Sequence, residues 1–196
     1  MKNKLTKVFL IILFIIGFLL IYFLGNILRN KNRSNPIEIM AQQNVKQENV
    51  GNQNELKVVE KEIDGKLYEV IAILNIPTLE IEYPVFSSTS KELLKISLNK
   101  YWGPNPNKPG NFCILGHNYN DEKFFGKLNR IEKGEKIKLT DMYGVTLEYI
   151  VYDMYIVEPE DTSCTTQLTN GETEVTLITC TKDFKKRFVV KARAEQ

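Results

Sequence analysis

Residues 8–24 read VFLIILFIIGFLLIYFL, an apolar run extended by Gly25, Asn26, Ile27 and Leu28. About 20 helical residues span a hydrocarbon core ~30 Å thick, so a run of this length is a membrane span before it is anything else. It outlasts the ~7–15-residue apolar core of a cleaved secretory signal, and no small-residue cleavage site follows it. The expectation is an uncleaved signal anchor over residues 8–28, behind a short cytoplasmic stub at residues 1–7. Lys2, Lys4 and Lys7 precede the run, while Arg29, Lys31 and Arg33 follow it. The count of positive charges is therefore nearly tied. The short stub favours an N-terminus inside, with the rest of the chain outside the cell.

After the run the composition changes. The stretch NKNRSNPIEIMAQQNVKQENVGNQNE is rich in Asn and Gln and poor in large apolar residues. It cannot bury enough surface to offset its ordering entropy, and residues 29–55 read as a flexible stalk. Residues 56–196 are then left to form one domain with one core. Across the chain, 26 Lys and Arg stand against 24 Asp and Glu. With that balance and no basic tract interleaved with aromatics, a nucleic-acid surface is not indicated.

Within the domain the pattern is mostly strands. Leu67–Ile76 and Leu79–Val85 alternate around the turn signal Pro77-Thr78. Lys136–Thr140 and Val145–Val157 flank Met142-Tyr143-Gly144 as a hairpin, and Glu174–Cys180 pairs with Arg187–Ala194 across a polar loop. Thr89 and Glu92 have capping-box spacing, and Leu93, Leu94, Leu98 and Tyr101 extend them into the apolar stripe of a helix. A second short turn or helix is expected around Phe124, Phe125 and Leu128. Many short antiparallel strands with one or two helices make a closed or nearly closed β-barrel.

Chemistry has few places to reside. The chain has 3 cysteines and 1 histidine, so at least one thiol is unpaired within the chain, and any imidazole chemistry belongs to His117. In EVTLITC, Val175, Leu177 and Thr179 alternate with Thr176, Ile178 and Cys180. Both faces are apolar, which marks a central strand ending in a thiol at the mouth of a loop. A buried packing cysteine is the bland account of Cys180. His117 ends the strand NFCILGH and opens onto Asn118-Tyr119-Asn120-Asp121, a turn. A thiol of ordinary pKa, ~8.5, is mostly protonated at neutral pH, and a nearby imidazolium favours the thiolate. Arg187 opens RFVVKARA six residues after the loop begins at Thr181. There it is either one charge on a solvated face or a hydrogen-bond donor to an oxyanion, and it cannot be a base. Zinc fails on spacing, because Cys113 and His117 stand ~13 Å apart along a strand. Cys113 and Cys164 are packing residues or a disulfide.

Taken together these residues resemble the sortase family. Thr176-Leu177-Ile178-Thr179-Cys180 fits the TLxTC signature at every position. Pro109-Gly110-Asn111 with Ile114-Leu115-Gly116-His117 resembles the segment presenting the family's histidine, and Arg187 before Phe188-Val189-Val190 resembles its active-site arginine. The resemblance implies an eight-stranded β-barrel and no cofactor. It implies that Cys180 attacks the Thr–Gly amide of an LPxTG-like sorting signal on a surface protein. The thioester then passes to an amine of a cell-wall precursor or a pilin, with His117 moving the protons and Arg187 steadying the oxyanion. Ile178 and Thr179, beside the nucleophile, are expected to contact substrate, and no metal is expected. The enzyme would sit at the Gram-positive cell membrane as a single-pass protein with its domain outside. Its subclass reads as class D-like or small and unclassified, and Arg193 is the other candidate for the arginine role. The rival readings are a catalytically silent tethered binding module and a cysteine hydrolase that uses water as acceptor.

Overall fold

The structure is a computed structural model describing residues 59–63 and 65–195. The expected anchor at 8–28 and the stalk lie outside those residues. Among the described residues no helix is long and apolar enough to cross a membrane.

Nine strands form: β1 (Val59–Ile63), β2 (Lys66–Ile76), β3 (Ile81–Phe86), β4 (Leu98–Trp102), β5 (Gly110–Leu115), β6 (Lys136–Asp141), β7 (Thr146–Val157), β8 (Thr173–Cys180) and β9 (Arg187–Ala194). They run β1-β2-β3-β4-β5-β8-β9-β7-β6, and β6 pairs back onto β2. That last pairing closes β2 to β9 into the expected eight-stranded barrel, with β1 hairpinned onto β2 outside the ring. Closure leaves the ring no free edge, which is how an all-β domain of this size avoids edge-to-edge association.

Alternation decides the interior. Val70, Ala72, Leu74 and Ile76 of β2 are all fully buried, and Leu74 and Ile76 meet Phe112, Ile114, Val175, Leu177 and Val190 in one core. The central place of β8, between β5 and β9, explains why both of its faces are apolar. Val175 and Leu177 enter the barrel, while Ile178 on the outer face joins Cys113, Cys164 and Val189 in a second, smaller cluster. The lid of that cluster is the β7–β8 connection, whose short turn Ser163–Thr165 carries Cys164. Cys113 and Cys164 are thus buried packing thiols, and all three cysteines are free.

The helix is shorter than expected. Only Lys91–Leu94 (α1) is helical, and its cap is Ser90 rather than Thr89, with the Ser90 hydroxyl accepting from the Leu93 amide at 3.1 Å. Leu98 and Tyr101 belong to β4 instead. Leu98 and Asn99 pair with β3, and Asn99, Lys100 and Trp102 pair with β5, so sheet pairing of the strand overrides the helical spacing of Leu98 and Tyr101. Around Leu128 a single tight turn, Leu128–Arg130, forms where a turn or helix was expected.

Candidate active site

Parallel pairing of β5 with β8 puts the ends that carry His117 and Cys180 side by side. Leu115 is level with Ile178, and both strands run out at the same rim of the barrel. Beyond that level the two loops are laced together. The Gly116 amide donates to the Ile178 carbonyl at 3.2 Å. The Thr179 hydroxyl donates back to the Gly116 carbonyl at 2.7 Å, and the Asn118 side-chain amide donates to the Cys180 carbonyl at 2.8 Å. His117 is therefore held by bonded neighbours on both sides, against the strand that bears the thiol. Gly116 is required here by packing, since a Cβ would stand 2.5 Å from Leu98 and 2.6 Å from Phe125.

The arginine is placed by the antiparallel hairpin of β8 and β9. Cys180 and Arg187 are direct cross-strand partners and so share a face. The Arg187 Nη1 lies 3.4 Å from the Cys180 Sγ. The six-residue connection is what makes this possible, because it is the turn closed by that very pair. Thr181 shapes it: its amide donates to the Lys186 carbonyl at 3.0 Å, and its hydroxyl accepts from the Lys186 amide at 3.1 Å. Arg193 is committed elsewhere. It is level with Glu174, ~20 Å along the hairpin from Cys180, and grips that carboxylate through Nε at 3.2 Å and Nη2 at 2.8 Å. Arg187 is the arginine the structure brings to the thiol.

Exposure separates the thiols. Cys180 is half-buried, whereas Cys113 and Cys164 are buried. Burial pushes the Cys113 thiol up to about 12, and Cys164 is raised for the same reason. His117 is also half-buried, its ring tilted 47° to that of Tyr119 with centroids 5.1 Å apart. Desolvation holds its imidazole below the ordinary histidine value, and the nearby Lys95 ammonium adds to the effect.

A groove leads from Arg187 along the outer face of β5 and β8, under the β7–β8 connection. It encloses about 210 Å³, and its walls include Tyr101, Leu115, Val157, Ile178 and Asp161. Ile178, expected to contact substrate, is part of the groove wall. Thr179, expected beside it as a second contact, is buried, and its hydroxyl is spent on the Gly116 carbonyl. Sequence reasoning did not single out Asn118 or Lys95. An Asn directly after a strand-end histidine, in a turn, was the available signal for the first, since Asn side chains readily bond loop backbone. Lys95 carried no signal, because its approach to His117 depends on how α1 docks.

The sortase domain family matches residues 74–195, more than half of the chain. The chain belongs to the sortase family. It is 34% identical to Sortase A of Bacillus anthracis over 142 residues, covering 68% of this chain and 63% of the length of that sortase. Its structure matches Sortase A from Corynebacterium diphtheriae, a lid mutant, with TM-score 0.61 and 27% identity over 66% of this chain and 72% of that one. It also matches a Clostridium perfringens Sortase D5 transpeptidase, with TM-score 0.59 and 25% identity over 65% and 79%. Sortases bearing both A and D designations are therefore among its structural neighbours.

Proposed function

We propose that this chain is a membrane-anchored transpeptidase that cleaves an LPxTG-like sorting signal between Thr and Gly and hands the acyl group to a cell-wall amine. The observation that carries the reading is the cross-strand pair of Cys180 and Arg187, 3.4 Å apart, with Arg187 lining a groove of about 210 Å³. In this reading the Cys180 sulfur attacks the Thr carbonyl carbon. As the C–N bond breaks, His117 gives its proton to the leaving amine, and a thioester remains on Cys180. An incoming amine, from a peptidoglycan precursor or a pilin lysine, then attacks the thioester while His117 takes up its proton. Arg187 donates to the oxyanion in both steps, where one such donor is worth roughly 3 kcal/mol. Ile178 forms part of the groove wall, and Thr179 holds the histidine loop. The atoms balance without a cofactor. Residues 8–28 would hold the enzyme in the cell membrane, residues 29–55 would serve as stalk, and the domain from residue 56 onward would work outside.

The test incubates the full-length chain with a sorting-signal peptide, with and without an amine such as triglycine, and follows products by mass spectrometry. We expect cleavage after Thr and a ligated product when the amine is present. Hydrolysis that ignores the amine would make the protein a hydrolase, and absence of cleavage would remove the enzymatic reading.

A further inference from the structure

β4 carries an irregularity where it meets β5. Lys100 is opposite Ile114 and Trp102 is opposite Cys113, so Tyr101 is one residue too many for the ladder. An extra residue of this kind bends its strand and re-aims the side chains around it. Tyr101 lines the groove beside Arg187 and Ile178. Trp102 lines a second hollow of about 370 Å³, with Gly103, Pro104, Pro109 and Gln167, and keeps 59% of its surface exposed.

The second hollow has fixed walls. The Gln167 side chain accepts from the Asn111 amide at 3.0 Å and donates to the carbonyls of Asn111 at 2.9 Å and Thr165 at 3.0 Å. Gly103 has φ +90° and passes so close to β5 that a Cβ would lie 2.0 Å from the Asn111 carbonyl oxygen. Because the Gln167 amide is spent on backbone, the hollow offers chiefly an indole and two proline rings. That surface suits an apolar side chain better than a sugar or a charged group.

We propose that this hollow is an upstream subsite of the peptide groove, taking an apolar or aromatic side chain that lies outside the sorting motif. The inference rests on the transpeptidase reading. Trp102 is level with Cys113 and hence with Thr176, ~13 Å down β8 from Cys180. Gly110 is level with Thr173, ~23 Å from Cys180. Trp102 also lies two strands over from β8, ~10 Å to the side, so an extended peptide covering ~3.3 Å per residue, with its scissile carbonyl at Cys180, meets Trp102 about five residues upstream and leaves the hollow about seven residues upstream. The four acyl-side residues of an LPxTG-like motif are used up where the indole begins. Whatever fills the hollow comes from the preceding residues of the displayed protein.

The experiment uses the full-length chain and three peptides: one beginning at the first motif residue, and two with seven added upstream residues carrying either Phe or Ser at the three positions next to the motif. The Phe peptide should have a KM roughly tenfold below that of the Ser peptide, with equal kcat. Trp102→Ala should erase that difference and leave the short peptide's kcat and KM as they were, while Trp102→Phe should keep most of it. Equal KM values for the two long peptides would overturn the subsite, as would a difference that survives Trp102→Ala. A wild-type chain that cleaves no motif peptide overturns the transpeptidase reading and the subsite with it, whereas cleavage without discrimination overturns the subsite alone.

Discussion

At the scale of single residues, Cys180 and Arg187 owe their meeting to register. They are the last partners before the β8–β9 turn, so a two-residue slip would separate them. Arg187→Ala should slow acylation by roughly 10²–10³-fold with an unchanged unfolding midpoint, read by single-turnover peptide cleavage and thermal denaturation. Arg193→Ala should reverse the pattern, lowering stability while sparing the rate, because its partner is Glu174 and not the thiol. As the chain's one histidine, His117 gives a simple titration by NMR. Its midpoint should fall below the ordinary value of about 6.5 and rise in Lys95→Gln. An imidazole with a depressed folded pKa makes a contribution that is present above its unfolded value and is lost as pH falls through the folded value. The strand-end positions of Cys180 and His117 were legible in the sequence, because alternation runs up to each and a polar loop or turn follows. The choice between Arg187 and Arg193 was not legible, since it depends on which residue closes the hairpin.

At the scale of elements, the histidine loop is fastened by bonds that cross from one strand end to the other. Asn118→Ala removes the donor to the Cys180 carbonyl, and Thr179→Val removes the donor to the Gly116 carbonyl. Each should lower kcat/KM by about tenfold or more while costing about 1–3 kcal/mol of stability, measured by peptide cleavage and by denaturant unfolding. The hairpins were readable from alternation and turn residues, and Arg187–Ala194 matched β9 end to end. The short helix and β4 were misread for one reason. Leu93, Leu94, Leu98 and Tyr101 fall at helical spacing by coincidence, and the pairing of Leu98–Trp102 with β3 and β5 is a long-range fact that local periodicity does not contain. Likewise the outward half of β9 looked solvated. In the fold Val189 is buried and Lys191 is 8% exposed beside Glu174 at 6%, because the β7–β8 connection covers that face.

At the scale of the whole molecule, closure of the ring through β2 and β6 sets the outer face of β5, β8 and β9 as a rigid floor on which loops build a site. Beneath the loop lid sits a buried ionic cluster. Glu174 receives Arg193 at 2.8 Å, Lys191 at 3.4 Å and the Tyr152 hydroxyl at 3.1 Å, and Lys191 also reaches the Cys164 carbonyl at 3.4 Å. Burial pushes the Glu174 carboxyl up, but Arg193, Lys191 and Tyr152 together hold it below the usual value. Its stabilising contribution is therefore present above the ordinary glutamate range and is lost as pH falls through the folded value. Glu174→Gln should cost about 3–5 kcal/mol in denaturant unfolding, since it leaves the Lys191 ammonium buried without its counter-charge. Sequence alternation gave no sign of this cluster, because a lysine and an arginine two apart on a terminal strand look like two solvated charges.

Cys180, and neither buried thiol, is expected to take the acyl group. Intact mass spectrometry of the full-length chain quenched in acid during peptide turnover, followed by peptide mapping, tests it directly. The expected result is a single acyl adduct on Cys180 that disappears in Cys180→Ala and on addition of amine. An adduct on Cys113 or Cys164, or cleavage that persists in Cys180→Ala, would contradict it.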